Sequence, residues 1–125
     1  MTARASPRVG GMNLSDAIFG LSPHIRYVAI ASSTELELAE RPGLADASAA
    51  ESDRYEEILV NPTLLGLARR RGDIDCGGLR YLVVRYGNFF QLVIEHQDGH
   101  VSVAIDPEGD PVSIVEQIRS DVLEA

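Results

Sequence analysis

The chain has 125 residues, 45% apolar and 24% charged, the balance of one folded domain able to bury roughly two thirds of the surface its unfolded form exposes. A net charge of −8 repels phosphate backbones and anionic lipid, so nucleic acid and membrane are excluded as principal partners and other proteins are expected instead. All eleven basic residues are arginine, which removes the P-loop lysine, Schiff-base chemistry and a lysine general base.

Residues 1–11 read as a flexible leader and 12–125 as a single domain. The leader is rich in Ala, Ser, Pro, Gly and Arg and has no apolar stretch of the secretory kind. Asn13 or Ser15 can cap a short helix carrying Leu14, Ile18, Phe19 and Leu21, stopped at Ser22-Pro23. Ile25 to Ser32 reads as a buried strand, and Ser32-Ser33-Thr34 turns it into the alternating Glu35-Leu36-Glu37-Leu38. Ser48 with Glu51 has capping-box spacing and opens a helix to Val60, with Tyr55, Ile58 and Leu59 on its buried stripe. Asn61-Pro62 restarts a helix that carries Leu64, Leu65, Leu67 and Ala68 to a stop at Gly72, with a kink or short break expected at Pro62.

After Gly77-Gly78 come three strands, Leu79 to Tyr86, Phe89 to His96 and His100 to Ile105. Gly87-Asn88 and Gln97-Asp98-Gly99 join them as antiparallel hairpins. Asp110 and Pro111 open a last helix whose Val112, Val115, Ile118 and Val122 share one face. The order is αββαβββα, an α+β fold with a five-stranded antiparallel sheet and helices on both faces.

The short helix ending in Leu21-Ser22-Pro23-His24-Ile25, the strand Tyr27 to Ala31, the segment Leu79 to Gly87, and Ala104-Ile105-Asp106-Pro107 before an amphipathic helix resemble the roadblock/dynein-light-chain family. The resemblance covers about residues 13–124. It implies a profilin-like three-layer sandwich and a non-catalytic adaptor or regulator, acting as a homodimer on another protein such as a small GTPase. It also implies that the strand from Leu79 to Tyr86 lies at the sheet edge and pairs with its copy, placing Leu79, Tyr81, Val83 and Arg85 in a dimer interface with the helix Ser48 to Arg71.

No cofactor is expected. Cys76 becomes a nucleophile only with an adjacent imidazole, and nothing in the spacing brings His24, His96 or His100 to it, so a buried small hydrophobe is the plainer reading. As a single cysteine it closes no internal disulfide, which points to a reducing compartment, the cytoplasm. His96 and His100 flank a turn and could face each other as half a zinc site, though exposed hairpin-end residues are the plainer reading. Arg69, Arg70 and Arg71 complement a helix C-terminus, with a partner-docking surface as the second reading. Eight acids against two arginines between Glu35 and Glu57 read first as solvated surface. Two alternatives stay open beside the adaptor. One is a small-molecule sensor of the PAS or GAF kind, and the other a small enzyme using Cys76.

Overall fold

The computed structural model describes residues 8–9 and 12–124. Most of the expected leader lies outside them; its two described residues form β1 (Arg8–Val9), antiparallel to β2 (Met12–Asn13). The remaining strands, β3 (Ile25–Ala31), β4 (Leu36–Glu40), β5 (Leu82–Arg85), β6 (Phe90–His96) and β7 (Gly99–Ile105), make one antiparallel sheet in the order β4-β3-β7-β6-β5. The crossover between the two edge strands is helical and spans the sheet. It comprises α2 (Ala50–Tyr55), a π-helical turn (Glu56–Val60) and α3 (Asn61–Asp75). The opposite face carries α1 (Leu14–Phe19) and α4 (Pro111–Gln117), the latter continued by a π-helical end (Ile118–Leu123). The mixed α/β class, the five-stranded antiparallel sheet and the three layers are as the residue pattern predicts. Among the described residues no helix is long and apolar enough to cross a membrane.

The two faces of the sheet are built differently. Leu14 and Ile18 of α1, Val115 of α4 and Ile118 of its π-helical end close on Val28, Leu92, Val101 and Val103 in an apolar core. Each fully buried side chain of this kind contributes about 1.5–3 kcal/mol. Asn13 caps α1 by accepting the Asp16 amide at 2.9 Å, and Asp110 caps α4 by accepting those of Val112 and Ser113. Val112, expected on the buried face of α4, is 55% exposed, because the inward row is Ile114, Val115, Ile118 and Val122. Ser32 makes the β3–β4 turn by accepting the amides of Thr34 and Glu35.

On the other face the crossover helix departs from the expected pattern. Helix α2 begins at Ala50 with Ala49 as an unassisted N-cap, and the Ser48 hydroxyl donates to the Asp53 carboxylate instead of forming a capping box with Glu51. No break occurs at Pro62. The Asn61 amide reaches back five residues to the Glu56 carbonyl, and this wider turn carries the helix into α3 just before the residue that has no amide proton. The extra residue turns the helix about its axis, so the inward row becomes Glu57, Asn61 and Leu65, four apart. Tyr55, Ile58 and Leu59, the expected buried stripe, are 60%, 56% and 50% exposed.

Gly72 does not stop the helix, which runs on to Asp75. The amides of Cys76 and Gly78 both return to the Gly72 carbonyl, with Gly77 and Gly78 at φ of 80° and 88°. Gly72 is required by proximity: a Cβ there would lie 2.9 Å from the Gly78 carbonyl group. The third strand is shorter than expected, since residues 79–81 do not pair and β5 begins at Leu82.

Candidate interaction surface

Strand β5 has one neighbour, β6, and its other side is an open edge. The Tyr86 amide donates to the Phe89 carbonyl across the Gly87-Asn88 turn. Antiparallel alternation then bonds Leu82 and Val84 toward β6 and leaves the backbone groups of Val83 and Arg85 facing outward. Val83 is 37% exposed and Arg85 is exposed, its guanidinium 4.9 Å from the centre of the Phe90 ring. Tyr81 leans onto the apolar core and Leu79 is half-buried.

Beside this edge the crossover helix presents apolar side chains to solvent: Tyr55, Leu59, Leu67 at 58% and Ile74 at 75% exposure. A concavity of about 440 Å³ connects the two, with Tyr55, Glu56 and Val60 on the helix side and Tyr86 and Phe89 on the hairpin side. The Tyr86 hydroxyl donates to Glu56, 3.0 and 3.1 Å from its two carboxylate oxygens. Partial burial pushes the Glu56 carboxyl up from its ordinary value; the Tyr86 bond opposes that rise, and the neighbouring Glu57 and Asp53 charges add to it. Burial, with Glu56 next to it, pushes the Tyr86 phenol up to about 12.

Beneath the helix lies a set of polar side chains that the sequence reading missed. Glu57, 2% exposed, accepts from the Tyr27 hydroxyl at 2.8 Å and from the Asn61 amide at 2.9 Å, and lies 2.8 Å from His100 Nε2. Asn61 also donates to Ser102 Oγ at 3.2 Å, and Gln91 donates to the same oxygen. Asn61 Oδ1 is buried without a hydrogen-bond partner among the described residues. Burial, then Glu57, raises the Tyr27 phenol, so it stays a proton donor. The signal was present in the strands: Gln91, His100 and Ser102 fall on one alternate set of positions, whereas the opposite set is apolar from Phe90 to Ile94 and from Val101 to Ile105. A groove of about 1110 Å³ opens between the helix and the β3–β4 end of the sheet, walled in part by His100, Glu57, Arg54 and Leu38.

The remaining candidates are scattered. Cys76 is exposed, not buried, and its thiol contacts the Asp75 carboxylate at 3.4 Å. The polar neighbours of His24 and His100 are Asp106 and Glu57, so neither imidazole is placed to take the thiol proton. His96 and His100 do not face each other. The β6–β7 turn is the two residues Gln97-Asp98, with Gln97 at φ 53°, and the register pairs Glu95 with His100 and His96 with Gly99, on opposite faces. His100 is 3% exposed, not a hairpin-end residue. Among the described residues no group of three His, Cys, Asp or Glu side chains is placed to hold a metal. Arg69 binds Glu95, Arg71 binds Asp75 at 2.6 Å one turn on, and Arg70 is exposed. None lies in the last turn, because α3 outruns Gly72.

No protein-family model matches the chain, and no curated protein matches it. Among solved structures it is similar to a crystal structure of a Roadblock/LC7 domain from Streptomyces avermitilis, at 18% identity and a TM-score of 0.58, over 85% of this chain and 92% of that one. With the strand order β4-β3-β7-β6-β5, the helical crossover on one face and two helices on the other, the chain has the Roadblock/LC7 fold.

Proposed function

We propose that the chain is a non-catalytic protein-binding domain of the cytoplasm. It self-associates through β5 and the outer surface of the crossover helix, and as a dimer it presents a surface to another protein. A small GTPase is the partner class the family resemblance implies. The observation that carries this reading is the continuity of exposed apolar side chains on the helix with an edge strand that has no protective proline, lysine or bulge. Pairing two such edges satisfies the outward backbone groups of Val83 and Arg85 and covers Val83 and Tyr81 in an isologous contact. Arg70 remains available on α3 for docking the second protein.

The test is the mass in solution of the wild type and of Val83→Pro. The Val83 amide faces away from β6, so proline there leaves the fold of one subunit intact while removing a bond between subunits. The wild type is expected to scatter light as a dimer at roughly tens of micromolar, and Val83→Pro as a folded monomer. A wild type that is monomeric in that range overturns the proposal. The groove beside β4 favours a second reading, the ligand sensor, and a small molecule retained in native mass spectrometry supports that reading instead.

A further inference from the structure

We propose that the pocket between Tyr55, Glu56, Tyr86 and Phe89 receives the Arg80 guanidinium of a second copy of this chain, which sets the register of the paired β5 edges. This rests on the self-association proposed above and adds the contact that chooses among possible alignments.

Because Val83 and Arg85 carry the outward backbone groups, a two-fold antiparallel pairing must oppose odd-numbered residues to odd-numbered ones. An axis at any of the four residues of β5, Leu82, Val83, Val84 or Arg85, satisfies that condition. With the axis at Val83 the partner subunit's Arg80 stands directly opposite Tyr86. Both then lie on the face covered by the crossover helix. Directly opposed side chains leave their Cβ atoms about 5 Å apart, well within the reach of an arginine.

The chemistry of the pocket fits that side chain. Its walls include the rings of Tyr55, Tyr86 and Phe89 beside the Glu56 carboxylate, and a guanidinium stacks on such rings while donating to a carboxylate. Asp53 and Glu56 have no cationic partner among the described residues. Arg80, in turn, is exposed and makes no hydrogen bond, ion pair or ring contact among the described residues of its own chain. One subunit therefore holds both halves of the contact and cannot join them, since its own Arg80 precedes β5 and its own pocket follows it. Two-fold symmetry joins them twice.

The dimer dissociation constant is measured by sedimentation for the wild type, Arg80→Ala, Arg80→Glu, Glu56→Arg and the Arg80→Glu/Glu56→Arg double variant, with far-UV circular dichroism to confirm folding. Loss of one contact is expected to weaken the dimer roughly tenfold, and Arg80→Ala, which removes both at once, roughly a hundredfold. Each charge reversal alone weakens the dimer at least as much, and the double variant recovers most of the loss. Glu56→Gln substitutes for Glu56→Arg if the latter does not fold, and with Arg80→Ala it must give less than the sum of the single effects. A dimeric wild type whose affinity is unchanged in Arg80→Ala overturns this inference and leaves edge pairing standing, whereas a monomeric wild type overturns both.

Discussion

Replacing Glu57 by alanine tests what holds the crossover helix to the sheet. The side chain satisfies three buried groups, the Tyr27 hydroxyl at 2.8 Å, the Asn61 amide at 2.9 Å and His100 Nε2 at 2.8 Å, and alanine leaves all three without it. Leaving one buried polar group unsatisfied costs about 1–3 kcal/mol. Domains of ordinary stability have about 5–15 kcal/mol to lose. The variant is therefore expected to fold but to melt in markedly less urea. Tyr27→Phe removes one bond and keeps the ring, so its loss is expected to be about 1.5–3 kcal/mol, the range of a hydrogen bond to a charged group. The assay is urea unfolding followed by far-UV circular dichroism, comparing midpoints at a common slope. If Glu57→Ala lies within about 1 kcal/mol of the wild type, the polar set does not hold the helix, and the apolar contacts around Leu65 and Tyr27 do.

Two glycines of α3 should respond to alanine with opposite signs. Gly66 has nothing within 4 Å of an added Cβ, so Gly66→Ala is expected to stabilise by about 0.5–1 kcal/mol. At Gly72 the same methyl meets the Gly78 carbonyl group at 2.9 Å, so Gly72→Ala is expected to destabilise despite the better helix propensity. Thermal melts of the two variants check this, and equal shifts would refute it. Burial holds the His96 imidazole below its ordinary value of 6.5. The unfolded chain then takes up that proton first as pH falls through 6.5, so the His96 contribution is fully present above 6.5 and is lost as pH drops toward the folded value. His96→Gln should flatten the decline in the urea midpoint over that window, and an unchanged slope would assign the decline to other groups.

Local signals were read correctly where a single residue determines a single geometry. Asn13 and Asp110 cap their helices, and Ser32 builds its turn from its own hydroxyl. Alternating apolar strands gave the sheet and its core. What could not be read was the phase of a helix interrupted by a π turn. Tyr55, Ile58 and Leu59 satisfy an ideal 3.6-residue period, yet one inserted residue moves Glu57 and Asn61 inward in their place. A one-residue difference in turn length likewise separates His96 from His100. The pocket at Tyr86 unites residues more than two elements apart, and only the sheet order brings them together.

The order of strands also bears on how the chain emerges during synthesis. The β3–β4 and β5–β6 hairpins are local and can close as soon as their residues are available. Neither can join the other without β7, which lies between β3 and β6 and pairs Ile25 with Ile105. Until the ribosome has released residues 99–105, the nascent chain carries two separate hairpins whose inner edges, those destined for the middle of the sheet, stay open. That interval is when β3 and β6, with buried runs of five and four residues, are exposed to wrong partners. Slow translation just before Gly99 would lengthen it, and prompt delivery of the last strand and of α4 ends it.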